Sequence, residues 1–256
     1  MLKKLAILLF ASLLTGCFAM SPEVKEPAPE SKLHEVVARF DEVNNPEKIQ
    51  CRTYYIKCSA QLPNMQMQIQ METYTDLIKN RIRITVTVPG TLKQVELYDG
   101  KKGYSIIPGM QTKILSEDEV AFLRYSAKHT NPWANLCNGY EKIMLDNNNH
   151  VINGKTCYRL VAQPLGEPTL SPEEIFIDQK TFYPVRTRSI ISTDLGKVPN
   201  QIDFIKFRKY EGALIGQTLK VQQLNMTLPT ELQELKVNCP IPDDIFDAEK
   251  IADEED

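Results

Sequence analysis

The chain has 256 residues, of which 42% are apolar and 25% are charged, and this composition is typical of a globular protein with a substantial core. Its net charge of -3 gives no general attraction to polyphosphate and so argues against nucleic-acid binding. No self-similar period runs through the sequence, so a repeat architecture is not indicated and one large domain is the natural arrangement.

The N-terminus has the pattern of an export signal. Two lysines at positions 3 and 4 precede an apolar run, residues 5–14, which is too short for the roughly 20 residues of a membrane-spanning helix. The next residues, Leu14-Thr15-Gly16-Cys17, resemble a bacterial lipobox, whose cysteine is acylated and becomes the new N-terminus. The alternative is an ordinary signal peptide with a chance cysteine. We predict a signal peptide over 1–16 and a lipid anchor on Cys17, because the charge, the apolar run, the small residues and the cysteine follow one another in this order. Several acyl chains together hold a protein stably on a membrane.

Composition also sets the expected domain limits. Residues 17–30 are rich in Pro and Glu and have no apolar period, which predicts an acylated cysteine followed by a flexible tether. The folded domain is expected over residues 31–247 and an acidic tail over 248–256. Five cysteines remain besides Cys17, an odd number, so at least one cannot pair within the chain and the pairing stays open. They are Cys51, Cys58, Cys137, Cys157 and Cys239.

The domain is predicted to open with a helix and to continue as strands. Apolar residues recur at helical spacing over 31–45, whereas residues 65–74 and 81–88 alternate between apolar and polar, the pattern of half-buried antiparallel strands. Asp99-Gly100 and Asn153-Gly154 are typical hairpin turns. The first joins strands predicted at 92–98 and 103–107, and the second joins strands predicted at 143–152 and 155–162. Further strands are predicted at 173–178, 185–193, 202–210, 219–226 and 232–238.

Two short helices interrupt this series of strands. Ser116 and Glu119 form a capping-box pattern, and Asn131-Pro132 begins a second helix that carries Trp133 and Leu136. These helices either close one end of a packed sheet or form a lid over an apolar cavity. We therefore predict a mainly β fold with some α structure, built on a long, curved antiparallel sheet.

The order of elements and three local phrases resemble the LolA/LolB-like superfamily of lipoprotein carriers. The phrases are Leu-Tyr-Asp-Gly-Lys-Lys-Gly-Tyr at 97–104, Phe-Ile-Asp at 176–178 followed by Thr181 and Pro-Val-Arg at 184–186, and Lys-Val-Asn at 236–238 leading to Pro-Asp-Asp-Ile-Phe at 242–246. The resemblance covers residues 31–247. It implies a curved antiparallel half-open β-barrel with an N-terminal helix and short lid helices, whose interior binds acyl chains. The lipobox makes the chain more similar to the membrane-bound receptor branch than to the soluble carriers.

An acyl-binding wall needs apolar and adaptable side chains, and methionine has both properties. The alternative is that the same residues are ordinary core packing. The hydrophobic ligand-binding candidates are Met65, Met67, Ile69, Met71, Ile82, Ile84, Val86, Phe122, Trp133 and Leu136.

The sequence gives no sign of catalysis. Its histidines, His34, His129 and His150, show no metal or triad spacing, and nucleophile-elbow and zinc-helix motifs are absent. We predict no catalytic residue, no metal and no cofactor.

The expected function is that of a non-enzymatic binder of lipid acyl chains or lipoproteins, acting in outer-membrane lipoprotein sorting or lipid transfer. We expect it to lie in the cell envelope, anchored at the outer membrane and facing the periplasm. Its expected partners are acyl chains, the membrane and a periplasmic carrier protein. The alternatives are an envelope sensor or interaction module on the same half-barrel, and a structural lipoprotein.

Overall fold

The computed structural model describes residues 22–62, 67–90, 92–110, 112–129, 136–193, 196–223 and 226–253. Its helices are α1 (Glu30–Asn44), α2 (Glu117–His129), α3 (Leu136–Gly139), a 3-10 turn (Asp243–Phe246) and α4 (Ala248–Ala252). Its strands are β1 (Thr53–Gln61), β2 (Gln68–Asp76), β3 (Arg81–Val88), β4 (Leu92–Tyr98), β5 (Gly103–Ile106), β6 (Lys113–Ile114), β7 (Tyr140–Leu145), β8 (His150–Ile152), β9 (Lys155–Pro164), β10 (Glu173–Asp178), β11 (Pro184–Thr193), β12 (Gly196–Tyr210), β13 (Ala213–Gln223) and β14 (Met226–Val237).

All the strands of the described residues belong to one antiparallel sheet that does not close on itself. Its order is β6-β5-β4-β3-β2-β1-β14-β13-β12-β11-β10-β9-β7, and β8 also pairs with β9. Nearly every strand pairs with its neighbour in sequence, but β1 pairs with β14, so the two ends of the domain meet in the middle of the sheet. The predicted half-open β-barrel with helices is confirmed.

Local turn and cap chemistry explains several element boundaries. The β8–β9 hairpin turns at Asn153 and Gly154, whose φ angles of 50° and 76° lie in the left-handed region that these residue types tolerate. Helix α2 has the predicted capping box. The Ser116 amide donates to Oε2 of Glu119 at 2.7 Å, and the Glu119 amide donates to Oγ of Ser116 at 3.4 Å.

The predicted boundaries of two strands are wrong. The strand predicted at 219–226 contains a chain reversal, because β13 ends at Gln223 and β14 begins at Met226. The strand predicted at 143–152 is two strands, β7 and β8. At the break, a carboxylate oxygen of Asp146 accepts from the Asn148 amide at 3.0 Å, and this side-chain turn ends β7.

The sheet has an inner face, which carries helix α2, and an outer face, which carries the C-terminal segment. On the outer face, Phe246 and Ile251 pack with Val95, Leu97 and Ile106 in one buried cluster. Ile251 lies in α4 and is fully buried. Packing therefore continues past residue 247, where the sequence analysis placed the end of the domain.

The segment before α1 is fixed along the β7 edge of the sheet. The Ala28 amide donates to the Leu145 carbonyl at 2.8 Å, and the Asn147 amide donates to the Glu26 carbonyl at 2.8 Å. The Glu23 carbonyl accepts from Nη1 of Arg159 at 3.1 Å. Residues 23–28 lie in the segment predicted as a tether, and these bonds hold them on the folded body.

Candidate functional site

Helix α2 crosses the inner face of the half-barrel. It contacts β3 and β4 on one side and β11 on the other. Val120 and Leu123 pack on Ile82, and the Ala127 carbonyl accepts from the hydroxyl of Tyr54, a fully buried side chain of β1, at 2.8 Å. Packing and a buried hydrogen bond thus hold the helix between two walls of the sheet.

A bidentate ion pair holds the middle of the same helix in place. Arg124 donates from Nε to Oε1 of Glu167 and from Nη2 to Oε2 of Glu167, both at 2.8 Å. Glu167 follows β9 and is 3% exposed, so this is a desolvated charge pair of matched geometry. The helix is therefore joined to the loop between β9 and β10 as well as to the sheet.

A polar cluster centred on a buried carboxyl group lies where α2 meets β7 and β10. We call it the Glu173 cluster, and it consists of Glu173, Tyr125, Tyr140, Thr187 and His129. The Tyr125 hydroxyl donates to Oε2 of Glu173 at 2.5 Å and the Tyr140 hydroxyl donates to the same oxygen, and Thr187 lies beside the carboxyl group. The His129 ring stacks on Tyr125, with centroids 4.1 Å apart, and lies 4.6 Å from the Tyr140 centroid.

Burial governs the protonation of this cluster. It raises the pKa of the Glu173 carboxyl, although the neighbouring hydroxyls of Tyr125, Tyr140 and Thr187 act in the opposite direction. Burial and then the Glu173 charge raise the pKa of Tyr125 and Tyr140 well above its usual value, so both hydroxyls keep their protons and act as donors. Burial, with a smaller effect of the Lys128 charge, lowers the pKa of His129 to about 4, so its ring is neutral at pH 7.

The close packing of His129 requires a glycine opposite it. A Cβ atom on Gly139 would lie 2.6 Å from Cε1 of His129, closer than two carbon atoms can approach. Gly139 ends the short helix α3, and its missing side chain lets that helix approach α2.

The inner face is also apolar away from α2. We define the inner apolar patch as the cluster formed by Ala60, Leu62, Met67, Ile69, Met71, Val86, Val88, Leu92 and Leu228. Ala60, Leu62, Ile69 and Val88 are buried, whereas the other five residues are only half-buried. None of the described helices contributes a residue to this patch. A half-buried wall of aliphatic and thioether side chains can take an apolar chain with little rearrangement.

The predicted ligand-binding residues do not all lie together. Met67, Ile69, Met71 and Val86 lie together in the inner apolar patch, and Ile82 and Ile84 lie beneath α2. Leu136 packs elsewhere, in the cluster around Val36 and Val37 of α1. Phe122 is half-buried on α2, with its ring centroid 6.1 Å from that of Tyr125. Met65, Trp133 and the predicted anchor Cys17 lie outside the described residues.

Sequence reasoning missed the Glu173 cluster. Strand β10 alternates between faces, so Glu173 shares a face with Ile175 and Ile177, both buried in the core. A carboxylate in the apolar register of a strand is the signal that could have found it. His129 was noted only as a histidine without metal or triad spacing.

The described residues contain no group of three or more His, Cys, Asp or Glu side chains placed to hold a metal ion. Of the helices in the described part of the chain, none combines the length and apolar character needed to cross a membrane. The thiols of Cys51, Cys58, Cys157 and Cys239 are free.

Solved structures share this arrangement of an open antiparallel sheet around helices. A LolA superfamily protein from Nitrosomonas europaea aligns with a TM-score of 0.54 and 14% identity, covering 85% of this chain and 98% of that one. The chain has a LolA-like fold. The chain is also similar to a DUF1329 family protein from Desulfovibrio piger, with a TM-score of 0.55 and 15% identity over 88% of this chain and 99% of that one.

A third structure with the LolA-like fold comes from Vibrio parahaemolyticus and is described as an outer membrane lipoprotein-sorting protein domain. It aligns with a TM-score of 0.52 and 9% identity, covering 85% of this chain and 97% of the other. No protein-family model matches the chain, and no curated protein matches it in sequence.

Proposed function

We propose that this protein is a non-enzymatic binder of lipid acyl chains or lipoproteins, anchored in the cell envelope through Cys17 and acting in lipoprotein sorting or lipid transfer at the outer membrane. The observation that supports it best is the inner apolar patch, because five of its side chains stay half-buried on the concave face of a LolA-like fold. Lipid chains bind by burying apolar area, at roughly 25 cal/mol per Å². The similarity to a lipoprotein-sorting domain supports the same proposal.

Native mass spectrometry of the full-length protein, released from nonionic detergent micelles, tests the ligand. We expect noncovalently bound phospholipid or acylated peptide on the wild type and less of it on Met71→Gln, because a buried amide without a partner is unfavourable on an apolar wall. Met144→Gln is the matched control, since Met144 is equally half-buried but points away from Ile143 and Leu145 of the core.

Three outcomes count against the proposal as stated. A bare protein mass after incubation with lipid would leave a structural lipoprotein, and a stable protein partner without lipid would indicate an interaction module. Equal lipid binding by Met71→Gln and Met144→Gln, with Met71→Gln alone losing thermal stability, would identify the patch as core packing.

The anchor is tested separately by growing cells with an alkyne-tagged fatty acid and detecting the tag on the purified protein. We expect the wild type and Cys51→Ala to carry the tag and Cys17→Ala to lose it completely, because acylation is expected at the lipobox cysteine alone. Tag on Cys17→Ala would contradict the proposed anchor.

A further inference from the structure

Two neighbouring strands near the centre of the sheet, β13 and β14, are paired along only part of their length. Strands β13 and β14 pair only from Gln223 opposite Met226 to Thr218 opposite Glu231. Beyond that point, β13 continues to Ala213 beside β12 and β14 continues to Val237 beside β1. Among the described residues, no ladder joins 213–217 to 232–237, so two strand edges face each other across a gap.

A cleft opens in this gap, and we call it the seam cleft. It encloses about 30 Å³, room for about two water molecules, and therefore fits a small polar group and not an acyl chain. Its lining residues are Arg208, Tyr210, Ile215, Gln217, Leu232, Gln233, Glu234 and Leu235.

The lining combines one available cation with an apolar floor. Ile215 and Leu235 are buried and pack with Leu232. Glu234 already pairs with Lys236 at 2.7 Å, whereas Arg208 is exposed and makes no ion pair or hydrogen bond within the described part of the chain. An unpaired guanidinium presents several N–H donors in the planar arrangement that suits carboxylate and phosphate groups. The amides of Gln217 and Gln233 add further donors.

Strand β14 connects the seam cleft to the inner apolar patch. Leu232 lines the cleft and Leu228 belongs to the patch, and both side chains lie on the same strand face because they are four residues apart. At about 3.4 Å per residue the two positions are separated by roughly 14 Å. One amphiphile can therefore span them, with its charged end at Arg208 and its chain over the patch.

We propose that the seam cleft binds the anionic headgroup of a lipid whose acyl chain lies along β14 on the inner apolar patch. The inference rests on the proposed lipid-binding function and adds to it a preference for a phosphate or carboxylate headgroup. Arg208 is the residue that supplies this preference.

Native mass spectrometry of the full-length acylated protein, titrated in nonionic detergent with lysophosphatidylglycerol or lysophosphatidylcholine, tests this. Arg208→Gln is compared with Lys209→Gln, which removes the same charge one residue away from an exposed and unpaired side chain that does not line the cleft. We expect Arg208→Gln to weaken binding of the anionic lipid about tenfold and to leave the choline lipid unchanged, and Lys209→Gln to bind as the wild type does.

The outcomes separate this inference from the function on which it rests. If the wild type binds neither lysolipid, the proposed function fails and the inference fails with it. Equal binding of the anionic lipid by Arg208→Gln and Lys209→Gln overturns the inference alone. Inorganic phosphate is added as a competitor at millimolar concentration. Full displacement of the lipid would show that the cleft recognises a free anion and not a lipid headgroup, whereas persistence of the bound lipid supports the proposal.

Discussion

Replacing Tyr125 and Tyr140 together by phenylalanine is expected to lower the free energy of unfolding by about 3 kcal/mol at pH 7. Both hydroxyls donate to Oε2 of Glu173, a residue that is 7% exposed. Their removal leaves a buried carboxyl group that has lost both tyrosine donors. Urea denaturation followed by far-UV circular dichroism measures the loss.

A triple variant shows whether the loss of stability comes from the unpaired Glu173 carboxyl group or only from the absence of the two hydroxyl groups. Adding Glu173→Leu to the double variant removes the acceptor as well, and replacing both partners by apolar groups is often nearly neutral. We therefore expect the triple variant to recover most of the lost stability. A double variant as stable as the wild type would show that Glu173 does not depend on the two tyrosines.

Acidification from pH 6.5 to pH 4 is expected to destabilise the protein through His129, by on the order of 3 kcal/mol. Its pKa falls from 6.5 in the unfolded chain to about 4 in the fold, so the unfolded state takes up the proton first in this interval. The contribution is present above pH 6.5 and is lost as the pH falls through the folded value. Denaturation curves at several pH values measure it, and His129→Phe should flatten this part of the profile.

The neighbours of His129 define the control for this prediction. The rings of Tyr125 and Tyr140, the Lys128 ammonium and the Gly139 backbone face it, and Glu173 lies beyond the tyrosines. Because the folded-state pKa of Glu173 is raised, its contribution has the opposite sign, with stability falling as the pH rises above 4.5. Glu173 is present in both proteins, so comparing His129→Phe with wild type at each pH cancels the contribution of Glu173. A His129→Phe profile that keeps the wild-type loss of stability between pH 6.5 and pH 4 would contradict the assignment.

Short-range chemistry made much of the fold predictable from sequence. The capping box at Ser116 and the hairpin turns at Asp99-Gly100 and Asn153-Gly154 depend on residues a few positions apart. Strand alternation placed β3 correctly, and the turn at Asp99-Gly100 placed β4. The turn after Gln223 was missed because it has neither glycine nor proline to mark it.

Long-range pairing was much less accessible. The pairing of β1 with β14 joins Tyr54 to Val237, and no local pattern in either strand specifies such a distant partner. The inner apolar patch was predicted in part, since alternation correctly grouped Met67, Ile69 and Met71 on one face. The seam cleft could not be predicted, because it arises where two paired strands part, and strand separation depends on the curvature of the whole sheet.

The meeting of β1 with β14, and of α4 with Val95 and Leu97, also determines when the protein can finish folding. A chain that emerges N-terminus first, from a ribosome or a translocation channel, presents β1 to β6 long before their last partners exist. The sheet is complete only after β14 and the terminal helix have been synthesised. Folding is therefore late and depends on contacts distant in sequence. A product truncated before Met226 would leave an open strand edge and an unfilled apolar cluster, features by which proteases and chaperones distinguish incomplete chains from finished ones.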